Sequence, residues 1–456
     1  MQIYSKIKLT EAPQSFEILQ EADGKAGFHI CGELVGEENA TADSRPFSVD
    51  KLFAVVIDEC DGSFVTPFIP LRITERSFEA DVNEVPVGGP YLLEFYMLES
   101  ESRTEYPLHG DRIYHFCVGD VFLAAGQSNS AGTGKGVLTE EPELGVHILR
   151  NLERWDIATM PFAEDSRHNP FMSFAKRFRK ATGRPVGIIP AGVGGSPLST
   201  WLPEEDGKFY RVAMDAVGKR KIKGVLWYQG CADAGLGVSR EDYVRRFESF
   251  VNHVRADVGD SALPFFTFQI NRQQMLTVSE SLDRKYDELR EAQRQAAKVI
   301  DGVYVLPAID ALHMSDFIHN SRISNAMLGE RLARQAAHEL YGIGERCAAP
   351  EIMRATLVDE RQAVLEFSSV TEYLYDFNSP ISEYPIYLED ELGEVALTDA
   401  KIEGNKVILS LSRDTTGQVY ASGQRGTDPR HIINDYGTGI PMLCFCRFPL
   451  ECDICK

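Results

Sequence analysis

Two short stretches hold residue types that could do covalent chemistry together. In "GDVFLAAGQSNS", Gly119 to Ser130, an apolar run stops on Gly126 and a serine, Ser128, follows two residues later. In "DFIHN", Asp316 and His319 stand three residues apart, just before a helical pattern that Asn320 or Ser321 is placed to cap. A serine hydroxyl becomes a nucleophile when an imidazole takes its proton, and a carboxylate then holds that imidazole in the working tautomer. The D-x-x-H spacing in a short turn sets carboxylate and imidazole side by side, so one loop supplies both. Acyl transfer also needs donors aimed at the developing oxyanion. The candidates are the Ser128 N–H, a backbone N–H of Gly194 or Gly195 in "VGGS", and the side-chain amide of Gln229 in "WYQG". Each also has a plain structural reading as turn, polar loop or polar cap. The pattern is not a G-x-S-x-G elbow, because residue 130 is serine and the aspartate and histidine share one loop.

What must position these groups is a set of strand ends. From about residue 119 the apolar runs "VFLAA", "VGIIPA", "GVLWY", "PFFTFQI" and "GVYVLPA" alternate with helical patterns. Phe171, Phe174, Ala175 and Phe178 recur at helical spacing, as do Tyr243, Phe247, Phe250, Val251 and Val254, and then Leu328, Leu332, Ala336 and Leu340. Doubly buried strands alternating with helices predict an α/β domain with a parallel sheet between helical layers. Ligands bind such sheets beyond the carboxyl ends of the strands, and "GQSNS", "AGVGGSPLSTW", "WYQGCADAG" and "DFIHN" all follow strand ends.

Either side of this region the pattern is β-like. Residues 1–118 hold short runs such as "FAVVID" and "YLLEFYML" between turn clusters, which predicts a sandwich-type β module. Residues 346–456 carry "ATLVDE", "AVLEFSS", "YPIYLED" and "KVILSLS", a second β-rich module ending in a loop-rich segment. Three domains result: 1–118, 119–345 and 346–456. A formal net charge of −21 gives no support for nucleic acid or an anionic membrane as partner. There is no secretory layout at the start, and no apolar run long enough to span a bilayer. Nine cysteines, an odd number and mostly scattered, fit free thiols in a reducing cytoplasm.

The blocks "GDVFLAAGQSNS", "AGVGGSPLSTW", "VLWYQGCADAG", "LREAQ" and "SDFIHNSRISNAMLGERLA" together resemble the sialate O-acetylesterase-like branch of the SGNH hydrolases, over about residues 119–345. The resemblance implies a flavodoxin-like three-layer α/β/α domain with β modules at both ends. It implies a serine esterase that removes acetyl groups from carbohydrates without metal or organic cofactor. By motif match Ser128 is the nucleophile, His319 the general base and acid, and Asp316 its orienter. The Ser128 N–H, the Gly195 N–H and Gln229 form the oxyanion hole. Two departures stand out: Ser130 where members often have Met or Glu, and Cys231 where the third block usually has glutamate.

Other residues are weighed against these. Cys231 is a lesser candidate for nucleophile, since a thiol near a helix N-terminus can be activated; a buried inert thiol is the expected state. His168, Trp201, Cys231, Arg425 and Tyr436 are candidate substrate contacts, with His313 a rival base and Trp227 a core residue. Arg425 and Tyr436 belong to a long polar segment with two equal readings, a loop folded back over the site to read the sugar or a solvated loop. Cys444, Cys446, Cys452 and Cys455 lie within twelve residues, but a terminal strand and tail explain them better than zinc. An O-acetylated carbohydrate is the expected partner, and a homo-oligomer is compatible with it. The other readings are a carbohydrate-binding protein on a retired hydrolase scaffold and a serine esterase for a non-sugar ester.

Overall fold

The computed structural model describes residues 4–36, 52–98, 105–107, 109–136, 138–163, 166–274, 279–314 and 316–452. Its central element is one long strand, β1 (Ile113–Gly126). The first half pairs antiparallel with the strand Gly88–Leu98, and Cys117 to Gly119 also pair with Ile18 to Gln20. The second half, Asp120 to Gly126, is the middle of a parallel sheet. Residue 118, expected to close one domain, therefore lies inside a continuous strand that belongs to two sheets.

After β1 come α1 (Ser128–Ala131), β2 (Val146–Arg150), β3 (Arg154–Ile157), α2 (Phe171–Thr182) and β4 (Val186–Pro190). Next are α3 (Lys208–Val217), β5 (Gly224–Tyr228), α4 (Cys231–Leu236), α5 (Arg240–Val258) and β6 (Phe265–Gln269). The last are α6 (Glu280–Val299), β7 (Val303–Pro307) and α7 (Arg322–Tyr341). The strand order is β3-β2-β4-β1-β5-β6-β7, parallel except for β3. The β2–β3 hairpin has no counterpart in the expected runs; its strands are short and polar at His147, Arg150 and Arg154, so they lack a clear apolar signal.

Period-two alternation sends β1 into two cores. Val121, Leu123 and Ala125 pack with Tyr210 and Ala213 of α3, Phe247 and Phe250 of α5, and Leu289 of α6. Phe122 and Ala124 pack with Phe174 and Phe178 of α2 and Leu328 and Leu332 of α7. The chain runs from β1 outward to β2 and back to β4 on one side, then to β5, β6 and β7 on the other. The carboxyl end of β1 is thus a topological switch point, where an open α/β sheet leaves a crevice.

A five-stranded sheet and the sheet holding Leu52–Asp58 and Gly88–Leu98 face each other across Ile30, Phe78, Val82, Val56, Leu93 and Phe116. Beyond α7, a five-stranded and a four-stranded sheet enclose Phe367, Leu388, Leu409, Ala421 and Phe445. At the amino end of the parallel strands, Glu21 pairs with Arg184 at 2.9 Å and Lys223 at 3.0 Å, which ties the N-terminal segment to the central sheet. No helix among the described residues is long and apolar enough to cross a membrane.

Candidate active site

Gly126 ends β1 with φ +130°, and a Cβ there would lie 2.3 Å from the Tyr228 carbonyl oxygen of β5. Only glycine lets β1 turn this tightly against its neighbour. The turn delivers Ser128 as the first residue of α1, partly exposed, while Asn129 and Ser130 are buried behind it. The 192–196 turn after β4 packs on the same spot: Val193 N–H donates to Gly126 O at 2.8 Å and Ser196 Oγ lies 3.4 Å from that oxygen. Gly195, at φ +69°, is exposed in this turn. Neither the Ser128 N–H nor the Gly195 N–H donates to a protein acceptor among the described residues.

Asp316 and His319 meet as the spacing predicts. The loop is closed by a bridge between His313 and Asn320 and by the Met314 N–H to His319 O bond at 2.9 Å. Within it His319 Nδ1 lies 3.0 Å from Asp316 Oδ2, and Asp316 Oδ1 accepts the N–H groups of Ile318 and His319 at 3.3 and 3.1 Å. Burial pushes the Asp316 carboxyl up, but the bonds from the His319 side chain and the two N–H groups outweigh it and hold it below the usual carboxylate range. Ser321 caps α7 by accepting the Ser324 N–H at 3.2 Å. Asn320 is buried instead, donating to Tyr228 OH at 3.1 Å and Asn325 Oδ1 at 3.2 Å.

Residues next to Ser128 and His319 join the two loops. The Asn320 N–H donates to Asn129 Oδ1 at 3.1 Å. Asn271, just past β6, donates to Ile318 O at 2.9 Å, Asn320 Oδ1 at 3.0 Å and His313 Nε2 at 3.2 Å, and its oxygen accepts from Asn129 at 3.5 Å. No hydrogen bond joins Ser128 Oγ to His319 in this structure. Asn129 and Asn271 are the residues the sequence reading missed. Their signal was present, since Asn129 directly follows Ser128 and Asn271 ends "PFFTFQIN", the one strand end left out of the convergence.

Several expected roles are corrected. Gln229 is fully buried, and its Nε2 donates to Ser196 O at 3.2 Å and to the Asp233 carboxylate, so no N–H remains for an oxyanion. Asp233, one turn later, captures it; burial raises the Asp233 carboxyl above its ordinary range despite that bond and the Leu198 N–H. His168 is fully buried and its Nε2 lies 2.7 Å from Glu140 Oε2, so it pins the segment after Ser128 rather than facing substrate. Trp201 is fully buried, donates to Ser196 Oγ at 3.0 Å and packs edge-on against Trp227 at 5.2 Å, so it offers no face to a sugar. Cys231 is half-buried with Sγ 3.6 Å from Asn271 Oδ1, and burial pushes its thiol up to about 11, which keeps it protonated and poorly nucleophilic. His313 has its Nε2 occupied by Asn271, and burial lowers its basicity.

Of the two readings of the loop-rich C-terminal segment, residues 426 and 427 follow the first, packing on the segment after β6. Gln273 N–H donates to Thr427 O at 2.8 Å, and the fully buried Arg290 holds the carbonyls of Ile270, Asn271, Gly426 and Thr427. Arg425 instead covers Tyr387 at 3.9 Å and pairs with Glu394, and Tyr436 stacks on Tyr373 at 4.6 Å, so both serve their own module. "LREAQ" gains a physical meaning here: Arg290 clamps the loop bearing Asn271, and Gln293 accepts the Ile270 N–H and donates to Gln229 O, both at 2.9 Å. Cys444 is buried beneath this contact and Cys446 is partly buried; the four-cysteine reading also needs Cys455, which lies outside the described residues.

A serine turn, an adjacent glycine turn and an Asp–His loop thus meet at the switch point of a parallel α/β sheet. Residues 118–338 match the family model described as carbohydrate esterase, sialic acid-specific acetylesterase. That match covers the segment whose motifs carry the resemblance. The chain is 25% identical over 244 residues to a probable carbohydrate esterase of Arabidopsis thaliana, spanning 47% of this chain and 88% of that protein. A solved carbohydrate acetylesterase from Xanthomonas citri shares the fold along nearly the whole length, with TM-score 0.62, 19% identity and 96% of both chains covered.

Proposed function

We propose that this chain is a serine O-acetylesterase acting on O-acetylated carbohydrates, its site carried by a three-layer α/β/α unit of residues 119–345 between two β-rich modules. Ser128 Oγ attacks the acetyl carbonyl carbon while His319 Nε2 takes its proton. His319 Nδ1–H, donated to Asp316, keeps Nε2 free as the acceptor. The N–H groups of Ser128 and Gly195 receive the oxyanion. Collapse of the intermediate expels the sugar alkoxide, which takes the proton from His319, and water then releases acetate from the acetyl-serine by the same route.

The observation that carries this reading is the Asn129–Asn320 bond, which fastens the residue after the serine to the residue after the histidine. The test is acetate release from an aryl acetate and from a panel of O-acetylated sugars, with wild type beside Ser128→Ala. Turnover of acetylated sugars by wild type and a silent variant support the proposal. Turnover of the aryl ester alone points to a non-sugar ester, and no turnover of any ester points to a binding protein.

A further inference from the structure

On the outer face of the N-terminal sheet the strands Tyr4–Glu11, Lys25–Gly36 and Ser77–Pro86 run side by side. Alternation sends Ile30 and Leu34 of the middle strand, with Phe78 and Val82 of its neighbour, into the core. His29 and Cys31 therefore stand outward together. The register sets His29 opposite Asp81 and Cys31 opposite Glu79, with Glu11 opposite Cys31 on the other side. An imidazole and a thiol thus occupy neighbouring positions with three carboxylates around them.

The distances give this group an order. His29 Nδ1 lies 2.6 Å from Asp81 Oδ1, which leaves Nε2 turned to Cys31 Sγ at 3.1 Å and Glu79 Oε2 at 3.8 Å. Arg72 occupies the other Glu79 oxygen at 2.6 Å. One donor atom from each of His29, Cys31 and Glu79 lies within 4.8 Å of the other two. In a tetrahedral zinc site the usual bond lengths put sulfur and nitrogen about 3.5 Å apart, and nitrogen and carboxylate oxygen about 3.4 Å apart. Small side-chain adjustments of about half an ångström meet those values. A carboxylate on the far ring nitrogen is the arrangement that orients metal-binding histidines.

We propose that His29 Nε2, Cys31 Sγ and Glu79 Oε2 bind one divalent transition-metal ion, zinc by its donor set, with solvent in the fourth position and Asp81 positioning His29. Cys31 binds as thiolate, its proton passing to solvent. A sulfur ligand disfavours magnesium and calcium, which take oxygen. The ion would bridge two strands of the N-terminal module, away from Ser128, and so stabilise that module.

The test uses the full-length protein, stripped with a chelator and titrated with zinc by calorimetry and with cobalt(II) by absorption. Wild type binds one equivalent of zinc through this site, melts at higher temperature with zinc, and gives a thiolate-to-cobalt charge-transfer band. Cys31→Ser abolishes that band and that equivalent, His29→Ala weakens zinc about 100-fold or more, and Asp81→Asn weakens it about 10–100-fold. Melting of the metal-free variants checks that each is folded, and any one that is not leaves the other two to decide. Absence of the band in wild type overturns the proposal. So does a band and stoichiometry unchanged in Cys31→Ser, which would move the metal to the C-terminal cysteines.

Discussion

Replacing Asp316 by asparagine and by alanine separates what its charge does from what its shape does. The carboxylate sits 3.0 Å from His319 Nδ1 and also accepts two backbone N–H groups. A unit charge at 3.0 Å from the imidazolium formed in the transition state is worth about 1.4 kcal/mol in bulk water and about 5.5 kcal/mol at an effective dielectric of 20. Those limits correspond to about 10-fold and about 10⁴-fold in rate. With side-chain exposures of 37% for Asp316 and 24% for His319, water screens the pair, so the loss lies between the limits, about 10²–10³ in kcat. Asparagine adds a second effect. Its Oδ1 can keep the two N–H bonds while its Nδ2 faces Nδ1 of the ring, which forces the proton onto Nε2 and blocks the base. Alanine leaves Nδ1–H to solvent and the working tautomer accessible. Asp316→Asn is therefore slower than Asp316→Ala, measured as kcat on an aryl acetate at neutral pH with KM little changed. An Asp316→Asn rate within about 3-fold of wild type, or above that of Asp316→Ala, refutes the reasoning.

Four further outcomes follow from the same geometry. Cys231→Ser keeps kcat within about 10-fold, because a thiol held near 11 is not the nucleophile; loss comparable to Ser128→Ala contradicts this. Trp201→Phe leaves KM for an acetylated sugar within about 2-fold but lowers stability by about 1–3 kcal/mol in denaturant unfolding, as expected of a core ring. Gly126→Ala meets the Tyr228 carbonyl at 2.3 Å and loses about 3 kcal/mol or more, seen as poor soluble yield and early melting. Asp287 accepts the Gly426 N–H at 2.6 Å, and burial pushes its carboxyl up to about 7. Its folded pKa is above the unfolded one because burial disfavours the charge, so the advantage of burying it neutral is full below about pH 4 and is lost as pH rises through 7. Wild type therefore loses melting temperature relative to Asp287→Asn between pH 5 and pH 8, and parallel curves would contradict the assignment.

The sequence made the sheet legible wherever burial was double-sided, because runs such as "VFLAA" and "GVLWY" leave little alternative to a covered strand. It also made the Asp316–His319 pair legible, since that contact is local. The strand pair at Val146–Arg150 and Arg154–Ile157 escaped because four of its nine residues are polar. The continuity of Ile113–Gly126 through two sheets escaped because a glycine in mid-run reads as a break. Gln229, His168 and Trp201 were given outward roles from their residue types alone. Their real partners, Asp233, Glu140 and Ser196, are set by how α4 and two loops pack, which one-dimensional spacing does not encode. The same holds for Asn271, whose side-chain bonds reach residues 40 to 142 positions away.

The central claim is that Ser128 carries the acetyl group through the reaction, and acid quenching during turnover of an activated acetate ester, followed by peptide mass spectrometry, tests it most directly. The account predicts one acetyl group on the peptide bearing Ser128, absent from Ser128→Ala and accumulating in His319→Ala, where transfer to water is slowed more than attack by an activated ester. An acetyl group on Cys231, or steady turnover by Ser128→Ala, would contradict it.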